Sequence, residues 1–377
     1  MSFWNYRVKR KRRRWGFSTA YHGSDHHKHY GGEHRIRKKI CLVLGSLMMV
    51  MALLVGIGAG GFYYLRNSGR ISLMDAASSS RASAGTATDT VGTVSRNGKR
   101  YRYDEDIINI LCMGIDKTTE EAEKRANTAG ESGQADAIVL LTLNPSVHTM
   151  KLIAISRDTM TEIDTYDRQG NYVGKAKNHL ALAYAFGDGA KKSGEMTVDA
   201  VSHLMYDLPI HGYVAVKLDA IEKLNDAVGG VTVTLPEDIK LAGELHTKGE
   251  TLRLTGEQAL NFVKYRDYKN AGTNTLRMER QKIYVLSFVQ EAKKALIRNP
   301  MLAAELYQNL TEDMITSIGL DEAVYLASLL PQMTFSENDI QTPKGEIKQS
   351  GIYEEFYVDD DALLELIFDT FYTEVTD

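Results

Sequence analysis

Short hydrophobic runs separated by polar segments predict a mixed α/β fold for the C-terminal two thirds of the chain. Uninterrupted apolar runs cover residues 107–113, 136–143 and 150–156, as expected for buried strands. The last two runs flank an Asn144-Pro145 turn, so we expect them to form a hairpin. Helical segments lie between the later strands, which indicates a sheet with both faces covered.

Helical periodicity dominates the rest of the body. Thr255 and Gln258 have the spacing of a capping box and predict a helix that ends near residue 263. A long amphipathic helix is expected over residues 275–297, and two or three helices follow it, the last around residues 361–371. The other predicted elements are helices over 178–186, 195–206 and 219–228, and strands over 213–217 and 231–235, the last after a Gly229-Gly230 turn.

A much longer apolar run lies near the N-terminus. Residues 40–65 form a stretch of 26 positions without a charge. As a helix this stretch would measure about 39 Å, more than the roughly 30 Å of a hydrocarbon core. Tyr63 and Tyr64 lie at one end, where interfacial aromatic residues belong. We therefore expect one N-terminal transmembrane helix. A cleaved signal peptide fits less well, because 39 residues precede the run.

Charge is distributed unevenly along the chain and predicts the orientation of this span. Residues 1–39 hold twelve Lys or Arg and two acidic residues, and the whole chain has a net charge of −4, so the other 338 residues carry −14. The positive-inside rule places the basic tail in the cytoplasm and the body outside the cell membrane. An acidic body argues against nucleic-acid binding, and we expect the tail to touch anionic lipid. Nucleic-acid binding and metal binding through its histidines stay open for the tail alone.

Composition divides the chain further. Residues 66–103 are rich in Ser, Ala, Thr and Gly, which predicts a flexible linker between the span and a body that begins near residue 104. Gly56 and Gly60 have the small-xxx-small spacing that permits helix dimerisation, so a homo-oligomer through the transmembrane helix is open.

The sequence has no G-x-S-x-G motif for nucleophilic catalysis, no Walker loop for nucleotide phosphates and no H-E-x-x-H motif for zinc catalysis. Cys112 lies inside a predicted buried strand, as a structural thiol does. Asp116 follows the first strand and Asp136 opens the second, so adjacent strands would place both at one rim of the sheet. Paired carboxylates suit Mg²⁺ or Mn²⁺, although each could instead cap a turn. The Arg157-Asp158 pair that ends the third strand could be an ion pair, or it could hold the arginine in a cleft.

Positive charge is concentrated near the start of the predicted long helix. Arg277, Arg280 and Gln281 are spaced to share one helix face. They lie in the first turns, where backbone N–H groups and the helix dipole favour anions. Lys264 and Arg266 are two residues apart and share a face if extended. These four cations could cradle a phosphate, or they could form a solvated charged surface.

The order of several motifs resembles that of the LytR-CpsA-Psr family of Gram-positive envelope proteins. The resemblance covers roughly residues 107–293 and the N-terminal anchor. Seven short segments in the right order identify the chain as a member of this family. They are NILCMGID (109–116), ADAIVLLTLNP (135–145), KLIAISRDTM (151–160), KNHLALAYAFG (177–187), LNDAVGGVTVTLP (224–236), LTGEQALNFVKYRD (254–267) and LRMERQ (276–281).

The resemblance implies a three-layer α/β/α catalytic domain over residues 104–298, on which residues 299–377 pack as a mostly helical extension. It also implies a membrane-anchored phosphotransferase that moves a glycopolymer from a polyprenyl pyrophosphate lipid to a sugar hydroxyl of peptidoglycan, forming a phosphodiester. Asp116 and Asp136 would hold Mg²⁺ (or Mn²⁺). Carried over by position, the catalytic set is Asp136, Arg157, Arg266, Arg277 and Gln281. The pyrophosphate-binding set is Arg157, Asn178, Lys264, Arg266, Arg277, Arg280 and Gln281.

Three positions differ from the family pattern. Gln134 and Lys264 stand where the family has arginine, and Asn274 stands where it has aspartate. Lysine keeps the charge of arginine but loses its bidentate fork. Two other functions therefore stay open. One is a non-catalytic envelope receptor or regulator that binds the lipid-linked polymer, and the other is a hydrolase that cleaves the pyrophosphate lipid with water.

Overall fold

A six-stranded mixed sheet forms the centre of the body in the computed structural model, which describes residues 59–74, 93–115, 133–167, 169–217, 220–265, 273–351 and 353–375. The strands are β1 Thr93–Arg96, β2 Lys99–Tyr103, β3 Ile108–Ile115, β4 Ala135–Asn144, β5 Thr149–Ile155, β6 Met160–Tyr166, β7 Tyr172–His179, β8 Gly212–Lys217, β9 Val231–Thr234, β10 Ile239–Leu241, β11 Glu244–His246, β12 Thr251–Leu254, β13 Met314–Thr316, β14 Ile340–Gln341, β15 Gly345–Ser350, β16 Tyr353–Val358 and β17 Tyr372–Glu374. The helices are α1 over residues 59–74, α2 Ala181–Ala185, α3 Lys191–Leu204, α4 Ala220–Ala227, α5 Gly256–Lys264, α6 Thr273–Arg298, α7 Leu302–Asn309, α8 Leu320–Leu329 and α9 Asp360–Phe371.

The central sheet has the strand order β13-β8-β3-β4-β5-β14. β3 runs parallel to β8 and antiparallel to β4. β4 and β5 form an antiparallel hairpin in which Ile138 pairs with Ile155 and Asn144 with Thr149. The three apolar strands and the hairpin predicted from the sequence are thus confirmed. Because β3 ends where β4 begins, this rim of the sheet collects the residues that follow β3 and open β4.

Helices cover both faces of the central sheet, as the uninterrupted apolar strands predict. Alternate residues of a strand point to opposite faces. Leu111 and Met113 therefore pack in one cluster with side chains of α2, α3 and α9, whereas Ile108 and Ile110 pack in another with side chains of α1 and α8. A third apolar cluster joins β9, β10 and β12 to α5 and α6.

Most predicted helices of the body are present, with shifted ends. The capping box of α5 is confirmed, since the Thr255 hydroxyl accepts from the backbone N–H of Gln258 and the Gln258 side chain accepts from that of Thr255. The helix predicted over residues 178–186 is wrong at its start, where β7 extends to His179 and α2 has only five residues. β7 escapes prediction because most of its side chains are exposed, so it lacks the apolar alternation that reveals a strand.

The predicted linker over residues 66–103 is wrong at both ends. α1 continues to residue 74, and β1 and β2 form a three-stranded sheet with the C-terminal strand β17. Residues 75–92 lie outside the described residues. Within the described residues, no helix combines the length and the hydrophobicity that a membrane span requires, and residues 40–58 of the predicted span lie outside them.

The C-terminal segment is part of the core and not a helical extension packed on it. β13 and β14 are the two edge strands of the central sheet, and Ile367 and Phe371 of α9 are buried in the cluster beneath β3. Strands of two or three residues carry too little pattern to be read from a sequence, which explains why this contribution was not predicted.

α1 docks on the first turn of α8. Gly69 is buried there, and a Cβ at this position would overlap the backbone oxygen of Asp321. The Ser68 hydroxyl donates a 2.7 Å hydrogen bond to the Asp321 carboxylate, and the Ser72 hydroxyl donates one of 2.5 Å to Glu322. Leu73 is fully buried in the cluster on this face of the sheet. Only glycine allows the two backbones to come this close.

Gly69→Ala is expected to loosen α1 from α8, because the added methyl group meets backbone atoms that cannot move aside. Overpacking of this kind costs about 1–3 kcal/mol. Hydrogen–deuterium exchange of full-length protein would show faster exchange over residues 66–74. Gly61→Ala is the matched control, since a Cβ at Gly61 would have no atom within 4 Å and alanine favours a helix by about 1 kcal/mol over glycine. Equal exchange in both variants would contradict the docking.

Candidate active site

Arg157 is the centre of the first group of predicted site residues. It lies in the turn after β5, at the end of the hairpin where β4 begins. Its Nη1 pairs with the Asp136 carboxylate, and its Nη2 donates a 2.8 Å hydrogen bond to Oε1 of Gln134. Its Nε lies 3.5 Å from Oδ1 of Asp158. The side chain is 37 % exposed, so the guanidinium is oriented by protein on one side and open to solvent on the other.

Gln134 has a specific role in this arrangement. An arginine at its position would place a second cation against Arg157. The amide oxygen of Gln134 accepts a hydrogen bond from Arg157, so this neutral side chain orients the neighbouring guanidinium. Hydrogen bonds to an ionised donor are the stronger kind.

The positions that precede the two predicted metal ligands pair with each other at this rim of the sheet. Ile115 pairs with Ala135, and these residues immediately precede Asp116 and Asp136. Asp116 lies outside the described residues, whereas the Asp136 side chain is 43 % exposed. Within the described residues, no group of three or more His, Cys, Asp or Glu side chains is placed to hold a metal ion.

Asn178 and His179 end β7 beside the Arg157 turn. The two residues after His179 donate backbone hydrogen bonds of 2.8 and 3.0 Å to the carbonyl groups of Thr159 and Arg157. The Asn178 side chain accepts a 2.9 Å bond from the backbone N–H of His179. The Nδ1 of His179 lies 3.5 Å from the Asp158 carboxylate. The end of β7 is therefore tied to the turn that carries Arg157.

The second group of predicted residues lies where α5 ends and α6 begins. Lys264 is the exposed last residue of α5, and Arg277 is half-buried on α6. Gln281 Nε2 donates a 3.2 Å hydrogen bond to the carbonyl of Val263, which ties α6 to the end of α5. Arg266 follows α5 in the sequence and lies outside the described residues.

Arg280 does not belong to a phosphate cradle, and the expectation that it binds pyrophosphate is corrected here. The residue is 1 % exposed. Its Nε donates a 2.9 Å hydrogen bond to the carbonyl of Phe262, its Nη2 donates to that of Tyr265, and its Nη1 pairs with Glu237. Burial lowers the pKa of its guanidinium. Arg280 therefore stabilises the C-terminal end of α5, from which Lys264 projects.

Two participants were not predicted from the sequence. His179 stands next to Asn178 in a matched motif, and this adjacency is the only signal that could have singled it out. Glu237 pairs with Arg280 from 43 positions away. Cys112 behaves as predicted for a structural thiol, because burial raises its pKa to about 11 and leaves little thiolate at neutral pH.

The sequence model of the LytR_cpsA_psr family matches residues 71–366. The chain belongs to the LytR_cpsA_psr family. The match begins inside α1 and ends inside α9, so the family domain includes the C-terminal elements that the sequence pattern had set apart as an extension.

Curated relatives and solved structures agree with this membership. The "polyisoprenyl-teichoic acid–peptidoglycan teichoic acid transferase TagU" of Oceanobacillus iheyensis is 27 % identical over 321 residues, which cover 82 % of this chain and 86 % of the relative. The crystal structure of TagV from B. subtilis has a TM-score of 0.54 at 24 % identity and covers 71 % of this chain and 96 % of its own. A structure described as "TagT bound to LI-WTA" has a TM-score of 0.51 at 21 % identity and covers 70 % and 89 %. These structures share the mixed α/β fold of this LytR_cpsA_psr protein.

Proposed function

We propose that this protein transfers a glycopolymer from a polyprenyl pyrophosphate lipid to a sugar hydroxyl of peptidoglycan. The observation that carries the proposal is the half-exposed Arg157 guanidinium, oriented by Gln134 and Asp136 at the rim of the central sheet. An oriented guanidinium suits a phosphate oxygen, because its fork matches the geometry of the anion. The family and the name of the Oceanobacillus relative support the same activity.

The reaction requires positioning and charge neutralisation more than covalent chemistry by the protein. The acceptor hydroxyl oxygen attacks the phosphorus that bears the glycopolymer, a new P–O bond forms, and the bond to the second phosphorus breaks, releasing polyprenyl phosphate. Arg157 would contact the pyrophosphate oxygens, and the Asn178 amide lies on the adjoining end of β7. Lys264 of α5, Arg277 and Gln281 of α6, and Arg266 from the segment between them in sequence would bind the same pyrophosphate.

Mg²⁺ or Mn²⁺ fits the donor set at this rim. The carboxylates of Asp116 and Asp136 are hard oxygen ligands of the type that these ions prefer. The β3–β4 register, with Ile115 opposite Ala135, and the exposure of Asp136 support the assignment. The ion would neutralise negative charge on the pyrophosphate when bound. Arg157 supplies the neighbouring positive charge from the chain itself.

The partners we propose are the lipid-linked glycopolymer, peptidoglycan and the membrane. Residues 40–65 would span the cell membrane with the basic tail in the cytoplasm, which would place the body outside, on the side where a wall acceptor lies. The Gly56 and Gly60 pair would permit self-association through the span. The acidic body gives no reason to expect nucleic-acid binding.

The test uses full-length protein in detergent. It is incubated with Mg²⁺, a polyprenyl pyrophosphate-linked disaccharide and soluble peptidoglycan oligomers, and mass spectrometry detects a phosphodiester-linked product. EDTA and Asp136→Ala are each expected to lower product formation at least about 100-fold, the loss typical when one group that stabilises charge in a transition state is removed. Asp369→Ala, an exposed carboxylate on α9, is the control and should retain full activity.

The other outcomes separate the two rival functions. Saturable lipid binding without any product would favour a receptor. Release of a phosphorylated disaccharide in the absence of peptidoglycan would favour a hydrolase. Full activity of Asp136→Ala in EDTA would contradict the proposed metal site but not the proposed transferase function.

A further inference from the structure

The hairpin of β15 and β16 lies beside the Arg157 turn and has no role in the function proposed above. β16 is attached to that turn, because the backbone N–H of Phe356 donates a 2.8 Å hydrogen bond to the carbonyl of Asp158 and Phe356 forms a bridge with Thr159. β15 pairs with β16 in antiparallel register. A single strand therefore separates β15 from the turn that carries Arg157.

The register of the hairpin determines which backbone groups of β15 point away from β16. Ile347 lies opposite Phe356, whose N–H is used on the side of Asp158. The two residues thus form a pair of the type that exchanges no hydrogen bonds in an antiparallel ladder, so the N–H and C=O groups of Ile347 also point outward. The same holds for Gly345 and Gln349, because the two types of pair alternate along a strand.

The outward backbone groups of Gly345, Ile347 and Gln349 form the β15 edge, which is open among the described residues. β15 and β16 form a sheet of only two strands in that part of the chain, and all six residues of β15 are exposed. Ile347 is 67 % exposed. A row of unpaired N–H and C=O groups is a template for an extended peptide. The β15 edge can therefore accept a further strand.

Two lysine side chains lie on one face of this hairpin. The Lys348 Nζ is 4.6 Å from the centroid of the Tyr357 ring, and the Lys177 Nζ from β7 is 5.1 Å from the same centroid. Glu346 and Glu355 belong to the same face, and the Glu355 carboxylate accepts a 2.7 Å hydrogen bond from the Tyr357 hydroxyl. The lysines offset the two carboxylates, on a body whose net charge is −14. This face therefore repels a peptide with free carboxylates less than the acidic body as a whole does.

The position of the β15 edge favours one occupant. Neighbouring strands lie about 4.8 Å apart, so a strand added to β15 would lie three such steps, or about 14 Å, from the backbone of Asp158. The acceptor in the function proposed above is a sugar of peptidoglycan, and peptidoglycan sugars carry short peptide stems with free carboxylates. A stem bound at this distance lies close enough for the glycan that bears it to reach the Arg157 turn.

We propose that the β15 edge binds the peptide stem of the peptidoglycan acceptor as an added strand. The backbone groups of Ile347 and Gln349 pair with amide groups of the stem, and Lys348 attracts its carboxylates. The edge thereby selects the acceptor sugars that still bear a stem. This assignment rests on the transferase function proposed above.

Hydrogen–deuterium exchange of full-length protein in detergent tests the contact directly. The probes are soluble peptidoglycan oligomers with intact stems and the same glycans after an amidase has removed the stems. We expect slower exchange over residues 345–350 with the stem-bearing oligomers and no change with the bare glycans. Equal protection by both probes, or protection by neither, would overturn the proposal. Protection that grows with protein concentration in the absence of peptidoglycan would also overturn it, because a second copy of the chain would then be the occupant.

Ile347→Pro removes an outward N–H group and leaves the hydrogen bonds between β15 and β16 in place. We expect the KM for stem-bearing oligomers to rise about 10-fold, as for the loss of one backbone hydrogen bond. The kcat and the KM for the lipid should change by less than about 3-fold, since the lost contact contributes to acceptor binding alone. Ile347→Val keeps the N–H group and should behave as wild type.

Ser95→Pro is the matched control. Ser95 is an exposed residue of β1, which is an edge strand of a different sheet. Arg96 pairs with Lys99 across the two-residue turn of that hairpin, so the N–H of Ser95 also points outward. Its replacement should leave the KM for peptidoglycan unchanged. If Ile347→Pro breaks the hairpin, exchange over residues 353–358 will reveal it, and the wild-type exchange experiment then decides alone.

Failure of this proposal and failure of the proposed function give different results. Stem-dependent protection of β15 without any transfer product would support the binding surface and contradict the transferase function. Transfer by wild-type protein without protection of β15 would contradict the binding surface and leave the transferase function standing.

Discussion

Arg157→Ala is expected to lower glycopolymer transfer by about 10²–10³-fold while leaving the fold intact. The guanidinium is the only described cation bonded to both Gln134 and Asp136, and removal of one group that stabilises charge in a transition state costs about this much. Arg157→Lys should recover little activity, because a lysine keeps the charge but loses the fork. Transfer is measured by mass spectrometry of the linked product.

Stability measurements separate this effect from unfolding. The Arg157 and Asp136 side chains are 37 % and 43 % exposed, and exposed ion pairs of this kind contribute about 0–1 kcal/mol. The urea midpoint of Arg157→Ala should therefore stay close to that of wild type. Arg298→Ala, at the exposed end of α6, controls for loss of an arginine elsewhere. A folded Arg157→Ala protein with full activity would refute the site.

Arg280→Met is expected to destabilise the body by about 3–5 kcal/mol, the cost of breaking a buried ion pair by removing one partner. The variant leaves Glu237 without its cation and the carbonyl groups of Phe262 and Tyr265 without their donor. Chemical unfolding in urea measures the loss. The double variant Arg280→Met with Glu237→Met should recover part of it, since no unpaired carboxylate is left behind.

Pyrophosphate binding by Arg280 would give a different experimental result. If its guanidinium bound pyrophosphate, Arg280→Met would weaken binding of the lipid and leave the free energy of unfolding near the wild-type value. Lys264→Met provides the comparison, because this exposed side chain is expected to affect lipid binding without a large stability change. If both variants changed lipid binding and the free energy of unfolding to the same extent, the distinction between a buried structural cation and an exposed binding cation would be contradicted.

The elements predicted from the sequence are those whose pattern is local. β3, β4 and β5 are continuous apolar runs, and α5 has its capping box within four residues, so each can be recognised in a short window. β13, β14 and β17 have two or three residues each and depend on partners far away in sequence. No local pattern encodes such pairings, and the C-terminal contribution to the core was missed for this reason.

The candidate site residues also differ in whether a local sequence pattern identifies their role. Arg157 and Asp136 were identified because they stand at strand ends, and the structure brings them into contact. Arg280 has the same charge and helical spacing as Arg277, and only burial distinguishes the two. Charge and spacing identify where a cation lies along a helix. They do not show which side chains pair with it, because partners such as Glu237 come from elsewhere in the chain.

The pairing of β17 with β2 has a consequence for how the protein is made. β2 leaves the ribosome more than 260 residues before β17, and α9 fills the core only after that long interval. Contacts between such distant positions slow folding. A nascent chain that ends before α9 keeps an open core, so early release or a late frameshift would yield a species that quality-control proteases can recognise.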